Sequence, residues 1–451
     1  MRAGVLASLL AVFLASEVSG WSPALVNGSF TQREWTPSSV TLKANLAHGA
    51  NITGTNAAVQ RVVSDALGAW KGVPGLSLVI TDGGTTAVAT KSVSDGENSI
   101  LFQDAASQGA VGGALAVTFS QFDSTSGQMS DADIVFNTSF SFSTELPSAA
   151  EVDLQSVLTH ELGHAFGLDH SSVLAATMFP TATKGESRAR TLSEDDRSGL
   201  LATYPASATR STLNGRVRKG GNGVLGAAVF AVDGAGSVVA ATVTRGSDGT
   251  FSMDGLPAGT YALGVEPLDG PMTKDNLGGF WQTLLGGIDT AFKTLAAAGS
   301  FTVAAGGTAS VGDLTVTAGA SSVNPDAVVD VTDAAASSFT FGNSESVQAG
   351  TTGKELVVKH TDGIDENTTV TLSGSDVTLG TPTSGQLQSG EGFRRFPLTV
   401  PSNAAVGPRN LFFTKSGETG ALVAGLEILE ASAATAVDDH PDSLTGTFDA
   451  N

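Results

Sequence analysis

Residues 160–170 read HELGHAFGLDH, and the stretch fits H-E-x-x-H-x-x-G-x-x-H at His160, Glu161, His164, Gly167 and His170. The whole sequence contains six histidines, and three of them fall here. Helix positions four apart share a face, so His160 and His164 present two imidazoles to one point. Glycine tolerates positive φ, so Gly167 lets the chain leave the helix and return His170 as a third nitrogen donor. Three donors with a fourth position open is the pattern of a catalytic rather than a structural zinc site. Glu161 stands beside the first donor, where a general base for an attacking water is needed. The competing reading is a solvated helix carrying chance histidines. Five positions matched together weigh against it.

The flanks extend the pattern. Met178 follows in the segment ATMFP, and Ser171 directly follows the third histidine. A zinc-binding run of this form with a methionine turn close behind resembles the metzincin zinc endopeptidases, and within them the matrixins, the family of the matrix metalloproteinases. Pro180 stands two residues after Met178, where astacins and serralysins carry tyrosine, so those relatives fit less well. WTPSSVTLKA, DADIVFN and LSEDDRSGLLATYP are looser matches, so the likeness covers residues 34–205.

The resemblance implies several roles. His160, His164 and His170 hold one catalytic zinc ion, Glu161 is the general base, and Met178 packs beneath the metal as an apolar floor. Ala114, Leu115 and Ala116 match the edge strand to which an extended peptide adds by main-chain hydrogen bonds. Ser156, one helical turn before His160, sits at the depth of the pocket for the side chain after the scissile bond. Asp195 and Asp196 match paired aspartates that steady the methionine turn or the mature N-terminus. His48 is the single further histidine in this region, so a three-histidine structural zinc site is not expected. Calcium is a second cofactor to consider at Asp131 and Asp133, against the plainer reading of surface acidity, since no EF-hand-type loop is present.

Periodicity organises the rest of residues 34–205. Apolar residues at helical spacing over 56–70 predict a helix with Asn56 as its cap. A metal helix is expected from near Ser148 to Phe166, and Ser193 should cap a closing helix over 194–203. Strand-like runs occur at 40–44, 76–80, 99–102, 114–119 and 133–136. The expected class is α+β multidomain: a twisted mixed sheet with three helices, then two β-sandwich domains. Residues 211–318 carry short strands joined by glycine turns, and the phrase from Asp248 to Tyr261 resembles the carboxypeptidase regulatory-like, prealbumin-type sandwich. Residues 279–298 read as an inserted loop with a helical turn. Residues 321–431 resemble an immunoglobulin-like sandwich, and residues 432–451 read as an unpatterned acidic tail.

Residues 1–20 have the charged end, apolar core and small-residue exit of a secretory signal peptide. No later stretch approaches about 20 apolar residues, so no membrane span is expected. The sequence has no cysteine, so disulfides contribute nothing and a matrixin-like thiolate latch has no ligand. Lys plus Arg number 23 against 44 Asp plus Glu, a net charge of −21, which argues against nucleic acid as a partner. The expected function is a secreted endopeptidase acting on protein or peptide, with oligomeric state open. The alternative is a non-catalytic secreted binding protein built on the same fold. Because the motif and methionine turn lie inside 34–205, that fragment is expected to fold and cleave a small peptide alone.

Overall fold

A computed structural model describes residues 23–430, apart from 27, 28, 149, 208, 279, 280, 282 and 362. The expected leader and tail lie outside the described residues. The first part of the chain forms β1 (Glu34–Trp35), β2 (Ser39–Asn45), β3 (Ile52–Thr53), α1 (Asn56–Lys71), β4 (Val79–Thr85), β5 (Asn98–Leu101) and α2 (Gln108–Val111). It continues through β6 (Ala116–Phe122), β7 (Gln128–Phe136), β8 (Phe142–Ser143), β9 (Val152–Asp153), α3 (Leu154–Ala165) and α4 (Glu194–Thr203).

In α1, Val59, Val62, Val63, Ala66, Leu67 and Trp70 are all buried, as their spacing requires. Its cap is Thr55 rather than Asn56. The extended backbone falls one residue earlier, and the Thr55 hydroxyl accepts the Ala58 N–H. Strands β4, β2, β5 and β7 run parallel in that order, and β6 pairs antiparallel with β7 at the edge. Three strands are displaced from their apolar runs. β4 begins at Val79 rather than 76, β7 begins at Gln128 rather than 133, and β6 begins at Ala116 rather than 114. β7 is longer because its first residues pair with β1 on one side and with β6 on the other.

The metal helix α3 also starts later than its sequence implies, at Leu154 instead of near 148. Asp153 has extended backbone and its carboxylate accepts the Ser156 N–H, which fixes the first turn there. The same carboxylate takes a two-pronged grip from Arg190, with side chains 1% and 0% exposed. Trp70 of α1 donates its indole N–H to the Thr159 carbonyl (2.9 Å), locking α1 against α3. α4 matches its sequence reading: Ser193 caps Glu194–Thr203 in a reciprocal box with Asp196. Past its end, the Tyr204 hydroxyl donates to the Phe166 carbonyl and accepts the Trp35 N–H, each at 3.0 Å. That hydroxyl ties the first strand to the exit of the metal helix.

From residue 211 onward the described chain contains four sheets and no α-helix. Two of them share a core of Leu213, Val217, Phe251 and Met253 against Val229, Tyr261, Leu263 and Val265. Two more bury Leu356 and Phe396 against Leu411, Phe413 and Ile428. The strand Ala228–Val232 is buried at every position. Val229 and Ala231 face the first of these cores, while Ala228, Phe230 and Val232 belong to a different one. That second core contains Val173, Leu174, Ala176 and Phe179 from the loop after the zinc motif, together with Val423 and Leu426. A strand covered on both faces needs no polar alternation, which explains the run AVFAV. The inserted loop carries a 3-10 turn at Leu285–Gly287, in keeping with its reading, but it ends earlier than residue 298, with strand resuming at Leu295.

Candidate metal centre

α3 places His160 and His164 one turn apart, with their Nε2 atoms 3.1 Å from each other. Gly167 adopts φ of 92°, and a Cβ there would lie 2.3 Å from the Arg33 carbonyl. The glycine therefore supplies both the turn and the space for the chain to double back. His170 returns as the sequence requires. Donor atoms of the three histidines lie within 4.8 Å of one another, and this is the sole group of its kind among the described residues.

The ring orientations are set by main-chain carbonyls. His160 Nδ1 contacts the Thr177 carbonyl at 2.7 Å, and His164 Nδ1 contacts the Leu168 carbonyl at 2.9 Å. His170 Nδ1 bonds the carbonyl of Asn276, far along the chain. A carbonyl can only accept, so each Nδ1 carries the proton and each Nε2 keeps its lone pair. Burial pushes His160 down to about 3 and His164 well below the usual imidazole range, which keeps both rings neutral. Three imidazole nitrogen donors converging on one point fit the donor set of a zinc ion with one open position.

Glu161 is 5% exposed, and its Oε2 accepts the Thr118 hydroxyl at 2.6 Å. Burial raises its carboxyl to about 7. Thr118 lies on β6 and also donates to the Glu161 carbonyl (2.9 Å), which couples the edge strand to the metal helix. Met178 is buried, with its sulfur close to Gly163 of α3. Its N–H and that of Thr177 both donate to Asp196, at 3.0 and 2.9 Å. Asp196 thus holds the methionine turn, and the turn's Thr177 carbonyl holds His160. Asp195 faces elsewhere, accepting the Ser171 hydroxyl and the Ala241 N–H, both at 2.6 Å.

A cleft of about 770 Å³ runs past the histidines. Ala114, Leu115, Ala116 and Ser156 all line it, as do Phe179, Pro180 and Thr181. Ala114 lies ahead of β6 proper, where the Asn137 amide binds its carbonyl (2.7 Å). Ser156 Oγ is buried and has no hydrogen-bond partner among the described residues. Asp131 and Asp133 are 1% exposed, which corrects the reading of surface acidity. Asp133 accepts the Ser92 and Ser99 N–H groups and Asp131 accepts that of Gly96, so the pair organises the loop between β4 and β5.

Several residues of the site left no signal in the sequence. Thr118 sits in an ordinary alternating strand. Arg33 and Gly278 line the cleft from distant segments. Asn276 contributes a main-chain carbonyl, which no residue type announces.

Residues 34–205 match the family model described as Matrixin. This segment is similar to matrixin domains. The metalloendoproteinase 2-MMP of Arabidopsis thaliana is 36% identical over 149 residues, covering 33% of this chain and 37% of that protein. Matrilysin of Rattus norvegicus is 46% identical over 48 residues, 11% of this chain and 18% of that one. The chain thus spans little more than a third of the length of 2-MMP. Among solved structures, the major pilin subunit BcpA of Bacillus cereus covers 50% of this chain and 70% of its own. Its identity is 11% and its TM-score 0.16, which carries no weight for the fold.

Proposed function

We propose that the protein is a secreted endopeptidase that hydrolyses peptide bonds in a protein or peptide substrate, with one catalytic zinc ion held by His160, His164 and His170. The observation that carries this reading is the convergence of three Nε2 atoms, each freed by a main-chain bond at Nδ1, beside the buried carboxylate of Glu161. When bound, zinc polarises the scissile carbonyl and brings the pKa of a water near 7.

The remaining work falls to this chain's own side chains. Glu161 takes the proton from the attacking water at a carboxylate oxygen and delivers it to the leaving amine nitrogen. The Thr118 hydroxyl fixes which oxygen is free for that transfer. An extended substrate adds along Ala114, Leu115 and Ala116, at and just ahead of the start of β6. Its side chain after the scissile bond enters the cleft toward Ser156. Residues 211–318 and 321–431 are sandwich units of regulatory-like and immunoglobulin-like type. Among the described residues no helix is long and apolar enough to cross a membrane.

Glu161→Gln tests the reading. The variant should bind one zinc per chain, as the wild type does, and lose at least about 10²-fold in peptide hydrolysis. Wild-type rates in the variant would remove the role of Glu161. Zinc-loaded wild type inert on every peptide would favour a non-catalytic binding protein instead, and two zinc ions per chain would refute the single site.

A further inference from the structure

We propose that the turn over residues 273–278, which lies outside the matrixin-like segment, is a positioning element of the metal centre. The inference rests on the zinc reading and adds to it. Of the three histidines, two take their orienting carbonyls from Thr177 and Leu168, within residues 34–205. The third depends on Asn276, 106 residues further along the chain. Two residues on, the Gly278 N–H donates to Asp169 Oδ1 at 3.2 Å, and the same oxygen accepts the N–H of His170 at 2.8 Å. The turn therefore holds the third ligand at its ring and at its backbone.

The turn is built for close approach. A Cβ on Gly278 would lie 2.9 Å from Asp169 Oδ1, so a larger residue would push into that carboxylate. Thr273 fixes the carbonyl of Asn276: its N–H and hydroxyl both donate to the Asn276 side chain, at 2.8 and 2.9 Å. Met272 and Leu277 anchor the turn in the core that also holds Val173, Leu174 and Phe179. A second link runs from the Ala241 N–H through Asp195 to the Ser171 hydroxyl, one residue past His170. The 34–205 fragment would carry every ligand but not the group that orients His170. The expectation that it works alone is therefore replaced: it should hold zinc more weakly than the full chain.

The test uses the full chain. Metal-free protein is titrated with zinc against a chromophoric chelator, and cobalt-substituted protein is read by visible absorption. Thr273→Ala combined with Asn276→Ala releases the turn, and Gly278→Ala drives a methyl group into Asp169. Thr260→Ala, at an exposed strand position outside the turn, is the control. Both test variants should weaken zinc binding by roughly ten- to a hundredfold, the usual effect of losing an outer-shell partner. They should shift the cobalt bands, while Thr260→Ala does neither and thermal unfolding of the metal-free forms stays close to wild type. If the double variant fails to fold, Gly278→Ala decides alone. Zinc affinity within twofold of wild type and an unchanged cobalt spectrum would overturn the inference. Wild type that binds no zinc would instead strike the zinc reading itself, and this one with it.

Discussion

Gly163 lies inside the zinc motif, in the middle of α3, where glycine is costly. Replacing it by alanine should gain about 1 kcal/mol of helix propensity. The structure opposes this. A Cβ at Gly163 would lie 2.2 Å from Met178 Sδ and 3.0 Å from Trp70 Cζ2. Met178 is 2% exposed and its backbone is tied to Asp196, so it has little freedom to withdraw. Overpacking of this type costs about 1–3 kcal/mol. Gly163→Ala should therefore destabilise the protein by up to about 2 kcal/mol, the overpacking less the helix gain. In a Met178→Ala background the worst contact is gone, and the same substitution should be neutral or stabilising. The double-mutant cycle should give a coupling of about 1–3 kcal/mol. Urea unfolding of the metal-free full chain, followed by fluorescence and circular dichroism together, measures it. A Gly163→Ala protein stabilised by the full propensity gain, with no coupling to Met178, would refute the packing argument.

Ser156→Arg should shrink the pocket and shift preference after the scissile bond toward smaller residues. An apolar side chain filling the wild-type pocket contributes roughly 1.5–3 kcal/mol, or about ten- to a hundredfold in kcat/KM; a peptide library profiled with both forms would refute this by unchanged preferences. Asp131 offers a pH test, because burial raises its carboxyl from 3.8 to about 6. Between those values the folded protein holds a proton that the unfolded chain lacks, so stability falls as pH rises through that window, by about 3 kcal/mol at most. Asp131→Asn keeps an acceptor for the Gly96 N–H, so it should raise the thermal midpoint clearly at pH 7.5 and little at pH 4. Equal shifts at both would show that the charge is not the cause.

The three-histidine cluster, the glutamate beside it and the closing helix were legible because their signals are local. Spacing along eleven residues fixes His160, His164 and His170, and Ser193 with Asp196 forms a box within four residues. The start of α3 was not legible, because its cap Asp153 is secured by Arg190 from far downstream. The length of β7 depends on two partners, β1 and β6, that no alternation pattern reveals. Asp195 showed the family's residue type, but its partner, the Ala241 amide, comes from a strand beyond the resemblance. Main-chain donors and acceptors such as Ala241, Asn276 and Gly278 are invisible to motif reading, since any residue supplies them.

The loop carrying Val173, Leu174 and Phe179 packs in a core completed by Val423, whose carbonyl accepts the Leu174 N–H at 2.9 Å. Synthesis separates these partners by roughly 250 residues, which at about 5–20 residues per second takes on the order of 12–50 s. During that interval the nascent chain already holds all three histidines, yet the apolar loop behind them lacks Val423 and Leu426, the last part of its cover. A ribosome-bound chain halted before residue 423 should therefore present a sticky, chaperone-recognisable surface beside the zinc motif. The order in which the polypeptide emerges sets when the centre reaches its final shape.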